Sequence, residues 1–140
     1  MSWVRSALTG AAAATVWGLQ EPLDQRVFRY RYSDVALLGK LVTRGPRWRA
    51  AGFAVHAANG AGFGLALHAG ERITGIPARR LAVPAALAEH VMLFPLSILT
   101  DRYHPARGAP ELPTVATSPR AFAQATWRHL LFGILLRRWL

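Results

Sequence analysis

The sequence predicts an all-α transmembrane bundle of about four spans, with a short amphipathic surface segment between spans one and two. Three observations predict it. Four stretches, 3–20, 50–70, 81–100 and 121–138, approach the roughly 20 mostly apolar residues that a helix needs to cross the hydrocarbon core. The second of them contains no Asp, Glu, Lys or Arg, so it has no charged face to turn to water at the helical period. The charges that exist are few and one-sided. Only 17% of the 140 residues are charged, against about 25% in soluble domains, yet Lys and Arg number 17 and Asp and Glu 7, a net charge of +10.

The stretch 3–20 centres on Gly10 and the alanine run Ala11–Ala14. Its apolarity is mostly alanine, so it is the weakest span. Thr9 and Gly10 interrupt the apolar region, and no clear cleavage site follows, so the reading is an uncleaved first helix rather than a signal peptide. In the first connection, 21–49, the run Arg26-Val27-Phe28-Arg29-Tyr30-Arg31-Tyr32 interleaves cations with aromatics. Ser33-Asp34 offers a helix cap, and Gly45-Pro46 marks a break. Arg26, Arg29 and Arg31 are candidates for anionic lipid headgroups, each basic residue contributing about 1 kcal/mol near such a surface. Arg and Tyr together also suit single-stranded nucleic acid. No nucleic-acid-binding motif accompanies them, and no nucleic acid partner is expected.

The third stretch has Glu89 as its only formal charge, and the fourth has Arg128 inside. Trp3, Trp17, Trp48, Tyr103 and Trp139 fall near the predicted ends, where amphipathic rings favour the headgroup zone. The first and third connections carry ten basic residues and the opposite side six. Positive-inside counting therefore places the protein in the cell membrane with both termini outside and the first loop in the cytoplasm. A soluble alanine-rich bundle is the alternative fold.

Three spans carry their strongest polar groups at similar depth: His56 and Asn59, Glu89 and His90, Arg128 and His129. A charge at the bilayer centre costs at least about 2.5–3.5 kcal/mol, so these residues should face one another or a water-filled cavity. The simplest arrangement is an ion pair between Glu89 and Arg128, with Asn59 and the histidines bonding between helices. Gly60 and Gly64 form a GxxxG step for close packing. The alternative is a proton or ion path, or a metal or haem site through the histidines. No cofactor is expected. At the end of the third span, Asp101 and His104 form an interfacial candidate pair at i, i+3. Asp101 is expected to pair with Arg102 or another loop arginine, and Pro105 to end the helix. The region 105–119 reads as an extended loop.

Zero cysteines remove disulfides, thiolate zinc sites and a cysteine nucleophile. No nucleophile elbow, Walker A motif or dinucleotide fingerprint is present. An enzyme is therefore not the favoured reading, although a lipid-active one built on the histidines is an alternative.

With a weak first span ending near Trp17–Pro22, a basic first connection and the C-terminal run Arg128-His129-Leu130-Leu131-Phe132-Gly133, the chain resembles small four-helix integral membrane proteins of GC-rich bacteria. That resemblance implies no particular activity. The segment His56-Ala57-Ala58-Asn59-Gly60-Ala61-Gly62-Phe63-Gly64 is also similar to the asparagine-glycine second helix of small fluoride channels. The third stretch here reads Ala88-Glu89-His90-Val91-Met92-Leu93-Phe94, without those channels' Thr/Ser pattern. The expected role is structural or accessory, in a homo-oligomer or larger membrane complex. Ion or proton transport is the alternative.

Overall fold

The computed structural model describes residues 2–140, and every regular element among them is helical. The helices are α1 (Trp3–Val27), α2 (Asp34–Val42), α3 (Trp48–Thr74), α4 (Ala78–Leu93), α5 (Ser97–Tyr103) and α6 (Pro119–Trp139). A 3₁₀ turn, Phe94–Leu96, carries α4 into α5.

Local chemistry sets the starts and stops. Ser2, Ser33 and Ser118 cap α1, α2 and α6, each accepting from the amide three residues on, which satisfies a donor the helix leaves free. Pro119 occupies the first turn of α6, where its missing N–H costs nothing. Gly75, at φ +71°, ends α3 in the left-handed conformation that lacks a penalty only for glycine. α1 does not end at Gln20 as the sequence predicts. It runs through Pro22 to Val27, and this extension of about two turns carries Glu21 and Asp24 into the interior.

Contacts along the chain give an up-and-down order. Trp3 packs on His68 and Trp17 on His56, so α1 and α3 are antiparallel. His90 and Phe94 pack on Phe122, while Gly133 lies against Ala82 and Val83, so α4 and α6 are antiparallel. Arg5 donates to the Trp139 carbonyl at 3.3 Å, which brings the two termini to one end. The first and third connections meet at the other end. There Ser33 N–H donates to Glu111 O, Lys40 pairs with Glu111 at 2.8 Å, and the Tyr30 hydroxyl donates to Thr114 O.

Small residues carry the tightest interfaces. Ser6, Gly10, Ala14 and Gly18 recur every four residues on α1 and are all buried. Ser6, Gly10 and Ala14 face Gly60 and Gly64 on α3 so closely that a Cβ on Gly10 would strike the Gly60 carbonyl, and Gly18 lies against Phe53 and Val35. α2 packs on α3 in the same way, Gly39 against Trp48 and Gly52 against Val35. Ala78, Ala82 and Ala86 form the matching stripe on α4. Close backbone approach through small residues is the usual means of joining helices where lipid removes the hydrophobic drive.

α2 is therefore not a segment lying free on a surface: Val35, Ala36 and Gly39 are buried against its neighbours. The region 104–118 is likewise a compact, turn-rich cover rather than an extended loop, with Leu112 and Val115 in a core with Tyr32, Ala36 and Ala121. Trp17 is a further correction. It is buried, not part of an aromatic belt, whereas Trp3, Tyr103 and Trp139 are exposed.

Two segments, Trp48–Thr74 and Ala78–Tyr103, are long and apolar enough to cross a membrane. At 1.5 Å per residue, the 27 residues of α3 reach about 40 Å, beyond a hydrocarbon core of roughly 30 Å. α1 and α6 have comparable lengths, 25 and 21 residues, but more polar sequences.

Candidate functional site

The centre of the molecule is charged. Arg128 is 0% exposed and Asp24 1%, and they are among the largest fully buried side chains. Arg128 extends from the middle of α6 and uses its guanidinium fork in full view of three carboxylates. Its Nε and Nη2 donate to the two oxygens of Asp24, both at 2.7 Å. Nη1 donates to Asp34 Oδ2 at 2.7 Å, and Nη2 also donates to the Tyr32 carbonyl at 2.9 Å. Glu21 lies 3.6 Å from Nη1. This is the bidentate geometry that arginine offers and lysine does not.

The acids are themselves well supplied with donors. Asp24 accepts from Gln20 and Gln124 as well as Arg128. Glu21 accepts from the Ser33 hydroxyl and from the amides of Asp34 and Val35, so it caps α2 from a neighbouring helix, at the positive end of the helix dipole. Asp34 accepts from Trp17 Nε1 at 3.0 Å. Together these bonds fasten α1, the turn at Tyr30–Ser33, α2 and α6 to one another.

The predicted Glu89–Arg128 ion pair is not formed. Arg128 is taken by Glu21, Asp24 and Asp34, and Glu89 instead lies 3.9 Å from His129. The acidic partners sit in the extension of α1 and the folded-back start of α2, neither of which the sequence places at membrane depth. One signal was available: Trp17, Glu21 and Asp24 share a face at helical spacing, as do Gln124 and Arg128. Reading Pro22 as the end of the helix concealed it.

The other expected cluster residues separate into two groups. His56, Asn59, Glu89 and His129, with Trp17 and Asp34, line one cavity of about 200 Å³. Asn59 is exposed and stands at the mouth. His90 does not line it; its ring packs on that of His129, centroids 4.9 Å apart, and its Nε2 lies 2.9 Å from the Thr126 hydroxyl. The Thr126 hydroxyl also lies 2.9 Å from the Phe122 carbonyl. His129 Nδ1 is 2.8 Å from the Ala125 carbonyl, and since a carbonyl only accepts, Nδ1 carries a proton and, in the neutral ring, Nε2 is bare. His56 Nε2 is buried with no hydrogen-bond partner.

The interfacial candidates are structural. Both oxygens of Asp101 accept the Val115 amide, and one accepts Ala116, at 2.8–3.0 Å, in place of the expected loop arginine. His104 is buried and does not face Asp101. Its Nδ1 accepts from Ala106 N–H and its Nε2–H donates to Leu37 O. Arg26, Arg29 and Arg31 are exposed. Among the described residues no group of three or more His, Cys, Asp or Glu is placed to hold a metal ion.

Burial is the largest single influence and pushes the Asp34 carboxyl up, but the charge and hydrogen bond of Arg128, together with His56 and His129, hold the group below its ordinary 3.8. A carboxylate lowered in the folded chain stabilises the fold above its unfolded pKa, and that contribution is lost as pH falls through the lower folded value. Melts of the purified protein from about pH 6 to about pH 3 should show Asp34→Asn melting below the native chain at the upper pH, with the gap narrowing toward the lower. A gap that does not narrow would contradict this linkage.

No protein-family model, curated protein or solved structure matches the chain.

Proposed function

We propose that the chain is a multi-pass membrane protein that crosses the bilayer four times and serves a structural or accessory role, with the Arg128 cluster as the lock of its scaffold. The observation that carries this reading is reversed polarity. Arg128, Asp24 and Gln124 lie in the interior beside the apolar core, while Val91 is 61% and Met92 74% exposed on α4. Leu8, Leu19 and Leu23 are similarly exposed on α1. In water this arrangement pays twice, for desolvated charge and for wetted hydrocarbon; in lipid the apolar exterior is solvated and buried charges pair inward.

The joined first and third connections form the cytoplasmic end in this reading, and Arg26, Arg29 and Arg31 meet anionic headgroups there. The broad apolar exterior leaves room for a second copy or a larger assembly through helix–helix contacts. Proton or ion transfer is the second reading. It is favoured by the Glu89–His129 approach beside the open cavity.

The cysteine-free sequence makes topology directly testable with single-cysteine variants and a membrane-impermeant maleimide. Ser2→Cys and Thr74→Cys should label in intact cells, Arg44→Cys and Thr117→Cys only after lysis, and Met92→Cys in neither. Equal labelling of Arg44→Cys and Thr74→Cys in intact cells would refute four crossings in this orientation.

A further inference from the structure

We infer that the cavity walled by α1, α2, α3, α4 and α6 is a binding site for a small organic cation, a primary ammonium on a short alkyl chain. This goes beyond the scaffold reading and does not depend on it.

The first ground is charge. Among the described residues Arg128 is the only buried Lys or Arg, and Glu21, Asp24 and Asp34 all surround it. Three carboxyl groups already share the one guanidinium, which leaves Glu89 at the cavity wall with no buried Lys or Arg beside it. Asp34 and Glu89 both reach the cavity wall, and no Lys or Arg lines it. A low-dielectric interior with surplus carboxylate draws a cation or protons.

The second ground is hydrogen bonding. His129 spends its one proton on the Ala125 carbonyl, so it presents a bare Nε2 to the cavity. Glu89 Oε2 lies 3.9 Å from that nitrogen, too far for a direct hydrogen bond. Two acceptors facing each other across that gap are complementary to a group with several N–H donors.

The third ground is the orphaned histidine. His56 is 8% exposed, its Nε2 has no partner, and it lines the same cavity. A buried polar atom without a partner costs about 1–3 kcal/mol, a cost that a bound group can remove. Trp17, Phe63 and Phe132 complete the wall. Aromatic faces favour an organic cation over a strongly hydrated metal ion. A volume of about 200 Å³ suits a few carbon atoms rather than a long polyamine.

The test uses the full chain in nanodiscs, titrated calorimetrically with n-butylammonium, tetramethylammonium and sodium as chlorides at matched ionic strength. n-Butylammonium should bind at one site with a Kd of about 1 mM or tighter. Tetramethylammonium, which has the charge but no N–H, should bind at least about tenfold more weakly, and sodium not measurably. Glu89→Gln should lower n-butylammonium affinity about tenfold or more while melting as the native chain does without ligand, because Glu89 is half-buried and makes no contact with Arg128. Absence of n-butylammonium binding would overturn the proposal. So would equal binding of tetramethylammonium or sodium, since the site would then read charge alone. Unchanged affinity in Glu89→Gln would also overturn it, because the cation would be bound elsewhere. If Glu89→Gln melts low, Asn59→Leu at the exposed mouth supplies the second variant, expected to weaken n-butylammonium binding by steric block; unchanged affinity there would again count against the cavity. A chain that fails the maleimide topology test yet binds n-butylammonium would refute the membrane reading and leave this site standing.

Discussion

Arg128→Met should lose about 3–5 kcal/mol of stability, the cost of breaking a buried ion pair from one side. Methionine fills much of the arginine volume, so the loss comes from charge rather than from a cavity. It leaves Asp24, Asp34 and Glu21 facing one another without a cation, and frees the Tyr32 carbonyl. Arg128→Lys should recover only part of the loss, because a single ammonium cannot grip both oxygens of Asp24 and reach Asp34 together. Adding Asp24→Asn and Asp34→Asn to Arg128→Met should restore stability by removing the stranded charges. Denaturant or thermal titration in a fixed detergent measures all three. A loss below about 1 kcal/mol for Arg128→Met would show that the cluster does not lock the scaffold.

Glycines two residues apart on α3 should respond with opposite sign. A Cβ at Gly64 would land on the Ser6 carbonyl oxygen of α1, backbone that cannot swing aside. Gly64→Ala should therefore cost about 1–3 kcal/mol through overpacking. Gly62 has nothing within 4 Å of where its Cβ would stand, so Gly62→Ala should be neutral or gain up to about 1 kcal/mol from helix propensity. The same titration checks both. Equal effects at the two positions would mean that α1 and α3 are not in backbone contact along this stripe.

Much of the framework was legible in the chain. Four long apolar stretches correspond to four long helices, and the Ser33 cap and the Gly45-Pro46 break fall where the local chemistry puts them. The step from Gly60 to Gly64 was visible as a packing motif, although its partners Ser6, Gly10 and Ala14 were not. The gathering of His56, Asn59, Glu89 and His129 at one cavity also follows their shared depth on neighbouring helices. The failures lie where a pattern on one helix does not reveal its rotation. Glu89 is the only formal charge inside its predicted stretch and Arg128 the only one near the middle of its own, which made them natural partners; α4 turns Glu89 toward His129 instead.

The sequence by itself determined the all-helical character, the short polar connections, the stripes of small residues and the scarcity of charge along α3 and α4. These are properties of local composition and period, and neighbouring residues suffice to express them. Only the tertiary structure decided which carboxylates meet Arg128. Asp24 and Asp34 lie 104 and 94 positions away from it, and they reach it because α1 continues through Pro22 and the following turn folds Asp34 back into the bundle. Desolvation makes an unpaired guanidinium so costly in the interior that some acid had to be brought to it; the geometry of the connection settled which.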